Sequence, residues 1–287
     1  MNRRVLIGAC LHTPPGSLRA RVFPAWLAHL QALDLEGVEA RYAFVLDKVE
    51  SHHAGPHRRL LEAFPGASLL WVMDDDLPRP EAQPRPEVRP MSEVRRLRRE
   101  VGDGYARMAF LRNLLRERAL LEGADFLFSV DGDIMVPSNL LRAVVAEDRP
   151  WVSGLVCNVP PEDIPGWECW AWNVLNFTAD LRRHFHIAPD LEKGGPCDVT
   201  GAVALYRHDL LQAARWAPDP GSEDDGFARL AKAAGFRGWY IPQVCGHLMT
   251  PALAEAHQKA CGLPFCALAM IEGVEEGKGP RASNQRE

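Results

Sequence analysis

Apolar positions in this chain fall into short unbroken runs separated by stretches of helical period. Val5 to Leu11 is one such run, bounded by Thr13-Pro14-Pro15-Gly16, and predicts a buried strand that ends in a turn. Leu18, Val22, Trp26, Leu27, Leu30 and Leu33 then recur at helical spacing, and Gly37 can stop that helix. Tyr42 to Leu46 predicts a second strand ending at Asp47, His57 to Phe64 a short helix, and Leu69 to Met73 a third strand. This alternation predicts an α/β protein: a Rossmann-like mixed sheet, largely parallel, with helices on both faces.

Further along, residues 77–100 read as an extended excursion, because Pro78, Pro80, Pro84, Pro86 and Pro90 leave no room for a regular element. The segment is a flap or a plain linker. Met108, Leu111, Leu115 and Ala119 predict an amphipathic helix from Tyr105 to Leu121, stopped by Gly123. Strands are predicted at Phe126–Val130, Trp151–Cys157, Val199–Tyr206 and Gly238–Ile241, with helices at Asn139–Val145 and Glu223–Ala234, the latter capped by Gly235. Residues 1–272 read as a single domain. Residues 273–287, rich in Gly, Lys, Arg, Ser and Gln, read as a disordered tail.

Composition narrows the class of protein without naming it. Hydrophobic content of 47% against 25% charged residues is that of a globular chain able to bury a core. The net charge of -5 gives no general reason to bind nucleic acid, and Arg95, Arg96, Arg98 and Arg99 read first as a solvated helix face. No apolar run is long enough for a transmembrane segment, and the start reads as a strand, not as a signal peptide. Seven scattered cysteines argue against a disulfide framework and for a reducing, cytoplasmic setting.

Candidate chemistry lies in three carboxylate-rich turns: Asp47, Asp131-Gly132-Asp133, and Glu223-Asp224-Asp225. Each follows an apolar run or opens a helix, and in an open α/β sheet the ends of such runs line a common crevice. Asp131 and Asp133 suit a hard divalent cation that keeps open positions for phosphate oxygens; the alternative is that they only cap the next helix. His247 is a further ligand by type, since imidazole accompanies carboxylates around Mn(II). The acidic residues at 223–225 either supply a general base or merely favour the helix dipole. Trp167, Trp170 and Trp172 either fill a small second core or offer flat faces to sugar rings.

In their order and setting these pieces resemble the nucleotide-sugar glycosyltransferases of the GT-A fold, especially the large inverting family that builds polysaccharides. Leu111-Arg112-Asn113 is similar to that family's Arg-Asn pair, Phe126 to Asp133 to its strand ending in Asp-x-Asp, and Ser222-Glu223-Asp224 with Phe227 and Gly235 to its Glu-Asp helix start. His247 falls where many members place a late metal ligand. The start departs from the pattern: Cys10-Leu11-His12-Thr13-Pro14-Pro15 replaces a Pro-Thr-Tyr-Asn-like turn, and Asp47-Lys48 replaces a pair of aspartates. The resemblance implies Mn(II) or Mg(II) on Asp131, Asp133 and His247. It also implies a nucleotide-sugar donor held by Thr13, Asp47, Arg112, Asn113 and Asp131. Asp224 is the implied base, with Asp225 as the alternative, and the acceptor, a saccharide or other hydroxyl compound, lies by Trp167, Trp170 or Trp172.

Three rival readings stay open. A phosphohydrolase of the haloacid dehalogenase type also uses Asp-x-Asp after a strand, although that motif normally opens its fold. Cys245, His247, His257, Cys261 and Cys266 supply zinc-binding atoms without a paired Cys-x-x-Cys. A non-catalytic sugar-binding module would keep the tryptophans but has no use for a base.

Overall fold

A computed structural model of the protein describes residues 2–12, 18–47, 54–72, 93–159, 171–181, 184–219 and 221–247. Strand β1 (Arg3–Leu11), helix α1 (Leu18–Gln31), β2 (Val38–Asp47), α2 (Ala54–Ala63) and β3 (Ser68–Val72) follow in the expected alternation. Helix α3 (Glu93–Leu121) leads into β4 (Phe126–Val130), the short β5 (Ile134–Met135) and α4 (Leu140–Ala146). Then come β6 (Trp151–Val159), β7 (Ala171–Trp172), β8 (Val174–Phe177), β9 (His184–His186), β10 (Gly195–Cys197), β11 (Val199–Thr200) and β12 (Val203–Arg207). Helices α5 (His208–Ala213) and α6 (Glu223–Ala233) and strand β13 (Gly238–His247) complete the described chain.

The main sheet runs in the order β10-β13-β6-β12-β4-β1-β2-β3, with β5 and β7 attached to β13 and β6. Strands β3, β2, β1 and β4 are mutually parallel; β12 is antiparallel to both β4 and β6, and β13 is parallel to β6. The carboxyl ends of β1, β2, β4, β6 and β13 therefore share one edge. Along β1 the alternation is visible: Val5, Ile7, Ala9 and Leu11 enter the core layer under α1, α2 and α4, whereas Leu6 enters the layer under α3, α5 and α6. Burial on both faces is why the strand reads as one continuous apolar run.

Three expectations are corrected. Helix α3 starts at Glu93, not Tyr105, so residues 93–100 are helix and only residues 73–92 of the proline-rich stretch fall outside the described residues. Beyond Pro90 no proline interrupts a run of good helix formers. The single strand predicted at Val199–Tyr206 is two: β11 belongs to a separate three-stranded sheet, β11-β8-β9, and β12 to the main one. Between them Gly201 and Ala202 turn the chain, with Val203 N donating to Gly201 O at 2.7 Å and Ala202 in the left-handed region at φ 63°. The last strand continues to His247; Pro242 is accommodated where the register with β6 shifts between Tyr240 and Val244. The expected tail at 273–287 lies outside the described residues.

Candidate active site

The site begins where β4 ends. Asp131 N donates to Ala202 O at 2.7 Å, Ile134 N returns to Asp131 O at 3.0 Å, and Trp26 Nε1 donates to the same carbonyl at 3.0 Å. These bonds fold Asp131-Gly132-Asp133 into a tight turn. Strand β5 leaves that turn and pairs with the end of β13, Ile134 opposite His247, which brings His247 Nε2 to 3.9 Å from Asp133 Oδ2. A hairpin-like pairing between distant segments thus sets the imidazole beside the second aspartate.

Arg112 of α3 is the hub. It is 4% exposed, and its Nη2 lies 3.0 Å from Asp131 Oδ1 while Nε lies 3.2 Å from Glu223 Oε1 and 4.0 Å from Asp224 Oδ1. Burial works against the guanidinium charge, but the facing Asp131, Asp224 and Glu223 carboxylates outweigh it and hold Arg112 well above its ordinary value. Burial raises Asp131, Glu223 and Asp224 alike; Arg112 opposes the rise in all three, and neighbouring carboxylates add to it. One buried cation is shared by three acids that still repel one another.

Helix α6 is capped by Ser222, whose Oγ accepts from Asp225 N at 3.0 Å. Successive side chains diverge by about 100° around a helix, and the three acids part accordingly. Glu223 and Asp224 line the site, where Asp224 Oδ1 accepts from Trp216 Nε1 at 3.1 Å. Asp225 turns away, 1% exposed, with His184 Nδ1 2.6 Å from its Oδ2 and no other hydrogen bond to its carboxylate among the described residues. Asp225 therefore does not reach the site, which corrects its standing as the alternative base. Gly201 matters here: a Cβ at that position would lie 2.0 Å from Asp224 Oδ2.

These side chains surround a cavity of about 320 Å³ lined by Arg112, Asp131, Asp133, Glu223, Asp224 and His247. A hollow of about 100 Å³, lined by Cys10, His12, Asp47 and Met108, adjoins it across Asp131 and Asp133. A larger hollow, about 590 Å³, lies elsewhere, beside Tyr42, Phe64 and the amino end of β3. It brings together no pair of carboxylates, whereas the smaller cavity is lined by four. Asp131, Asp133 and His247 offer two carboxylates and an imidazole at one edge, a donor set that fits Mn(II) or Mg(II). Among the described residues no three His, Cys, Asp or Glu side chains stand together closely enough to hold a metal ion, and both Asp131 carboxylate oxygens face Arg112.

Other candidate residues have different surroundings. Asp47 is gripped by Arg107, whose Nε donates to Oδ1 at 2.8 Å and whose Nη2 reaches the same oxygen, and His12 Nδ1 stands 3.7 Å from Oδ2. Asn113 faces protein, not an open site: its Nδ2 donates to Trp216 O at 2.8 Å and its Oδ1 accepts from Trp216 N at 3.0 Å. Asn113 thus fixes the tryptophan that fixes Asp224. Trp172 is 9% exposed and packs with Leu155, Val174, Cys197 and Tyr240, which corrects its expected role as an acceptor platform. Cys245 is buried in the main core, and burial pushes its thiol pKa up. Thr13, Trp167, Trp170, His257, Cys261 and Cys266 lie outside the described residues. Tyr105 lines the cavity, Arg107 holds Asp47 and Trp216 holds Asp224, none of them expected there; Tyr105 stands two helical turns before Arg112, which is the only sequence signal for it.

No family profile and no curated protein matches the sequence. Solved structures do. GalNAc-T7, solved with UDP, GalNAc and Mn2+, aligns over 86% of this chain and 44% of its own at 11% identity and TM-score 0.55. The mannosyltransferase PcManGT from Pyrobaculum calidifontis, in complex with GDP-Man and Mn2+, aligns over 91% of this chain and 62% of its own at 15% identity and TM-score 0.49. S. aureus TarS 1-349 aligns over 90% and 64% at 11% identity and TM-score 0.46. The chain spans less than two thirds of each of these proteins. Its fold is that of the GT-A nucleotide-diphospho-sugar transferases.

Proposed function

We propose that the protein is a glycosyltransferase that moves a sugar from a nucleoside-diphosphate donor to an acceptor hydroxyl, with inversion. The observation that carries this reading is the convergence of Asp131, Asp133, His247 and Asp224 on one cavity at the carboxyl edge of the sheet. In the transfer the acceptor oxygen attacks the anomeric carbon, its proton passes to the Asp224 carboxylate, and the bond to the diphosphate breaks with its electron pair. Asp131, Asp133 and His247 would hold Mn(II) or Mg(II), which when bound supplies Lewis-acid stabilisation of the leaving diphosphate. Arg112 stands between the metal-side and base-side carboxylates and opposes the upward push that burial gives their pKa values. Asp47, with Arg107 and His12, lies at the smaller hollow, where the nucleoside end of the donor belongs.

The test is release of nucleoside diphosphate from a panel of nucleotide sugars, with Mn(II), with Mg(II) and with chelator. Metal-dependent release from at least one donor is expected. Phosphate release from simple phosphomonoesters instead would replace this reading with the phosphohydrolase one.

A further inference from the structure

Among the described residues the Asp224 carboxylate takes a single hydrogen bond, from the indole of Trp216, Nε1 to Oδ1 at 3.1 Å. Arg112 Nε, 4.0 Å from the same oxygen, is outside hydrogen-bond distance. The other oxygen, Oδ2, lies against Gly201, where a Cβ would stand only 2.0 Å from it. Gly201 and Asp224 both line the cavity. The carboxylate is thus held at Oδ1, and Oδ2 is the oxygen left to accept a proton.

The indole is itself held from three elements. Trp216 belongs to the irregular stretch between α5 and α6, where no helix or strand fixes the backbone. Asn113 of α3 supplies the partners instead, its Nδ2 donating to Trp216 O at 2.8 Å and its Oδ1 accepting from Trp216 N at 3.0 Å. The ring stacks on Phe227 of α6, with centroids 4.4 Å apart and planes at 23°, and meets Tyr206 of β12 edge-on at 5.1 Å. Buried among these rings, it has little freedom to turn. A donor aimed at a carboxylate favours the ionised form. Burial pushes the Asp224 pKa up, with Asp131 and Asp225 adding to the rise, while Arg112 and the Trp216 N–H oppose it.

We propose that Asn113 and Trp216 are positioning residues for the base: the Asn113 amide clamps the Trp216 backbone, so that the indole holds Asp224 Oδ1 and leaves Oδ2 to take the acceptor proton. This rests on the glycosyltransferase reading with Asp224 as its base.

The experiment follows nucleoside-diphosphate release against pH, using the full chain and a nucleotide sugar that it hydrolyses, with water as the acceptor. Trp216→Phe keeps a ring in the aromatic cluster and removes the N–H. Its kcat profile is expected to show the acidic limb moved up by about one pH unit, the order of a lost hydrogen bond to a charged group. On the plateau kcat should fall about tenfold, as for a misplaced reacting group, with the donor KM nearly unchanged. Asn113→Ala keeps the indole and frees its backbone; it should move the limb in the same direction by less, and it covers the case in which Trp216→Phe does not fold. Trp151→Phe is the control, because Trp151 packs against the same Tyr206 and Phe227. That variant is expected to lower Tm and leave the limb in place. A limb unmoved in whichever of the first two variants folds, a limb moved equally by Trp151→Phe, or failure of both to fold where Trp151→Phe folds overturns the proposal, while metal-dependent release by the wild type leaves the transferase reading standing. No release from any donor by the wild type overturns both.

Discussion

At the scale of single residues, the acidic triplet shows how adjacent side chains of one type take different roles. Asp224 keeps 20% of its side chain exposed and lines the cavity, while Asp225 is sealed against His184. Asp224→Asn is expected to lower kcat by about a hundredfold or more with nucleotide affinity nearly unchanged, the range for loss of a general base. Steady-state kinetics beside nucleotide calorimetry checks this, and full turnover by the variant would remove Asp224 as the base. Gly201→Ala should imitate that loss without touching the carboxylate, because its methyl would occupy the position of Asp224 Oδ2. A Gly201→Ala protein with a native-like Tm and native kcat would show that Asp224 does not depend on this close approach. Residue type and order singled out the acids at 131, 133 and 223–225 with helix capping as the alternative, and the family resemblance, not spacing, chose Asp224 among the last three. Arg107 and Tyr105 on α3, and Trp216 in the irregular stretch between α5 and α6, were illegible, because an arginine or an aromatic there reads equally well as surface or core until the sheet places it.

Among the elements, long ones were legible and short ones were not. Strands β1, β2, β4 and β6 and helices α1 and α6 carry enough apolar periodicity to be read directly. Strands β7 to β11 are two to four residues long, too short for any period, and the switch of sheet at Gly201–Ala202 depends on contacts with Asp131 and Asp224 that sequence spacing does not encode. The small sheet of β8, β9 and β11 is tied to α6 by His184 and Asp225, and this tie predicts a pH dependence. The hydrogen bond to Asp225 raises the His184 pKa above its ordinary value, against a smaller opposing contribution of burial and Arg229 and with Asp219 adding to the rise. A pKa raised on folding contributes stability that is complete below the unfolded value of about 6.5 and is lost as pH rises through the folded one. Tm of the wild type should therefore decline from pH 6 to pH 9 more than that of His184→Asn, whose Tm should be lower at pH 6. Parallel Tm profiles for the two proteins would show that the pair adds no pH-linked stability.

Over the whole molecule, the order of parallel strands decides where chemistry can occur. β1, β2, β4 and β13 end on one edge, so Asp47, Asp131 and His247, far apart in sequence, lie there, while the hollow near Tyr42 and Phe64 is at the opposite edge. That alternation of strands and helices was legible; the antiparallel insertion of β12 between β4 and β6, which sets β13 beside β6 and so delivers His247, was not. The resulting edge collects Asp131, Asp133, Glu223 and Asp224 around one Arg112, an excess of negative charge that would repel a diphosphate. Nucleoside diphosphate is accordingly expected to raise Tm by several degrees when Mn(II) is present at saturating concentration, since a ligand at about a hundred times its Kd stabilises by about 2.7 kcal/mol, and to leave Tm unchanged with EDTA. Asp131→Asn with Asp133→Asn should abolish the metal-dependent rise, and His247→Ala should weaken it. If the nucleotide raises Tm equally with and without chelator, Arg112 and its neighbours bind the diphosphate unaided, and the two aspartates have no metal role.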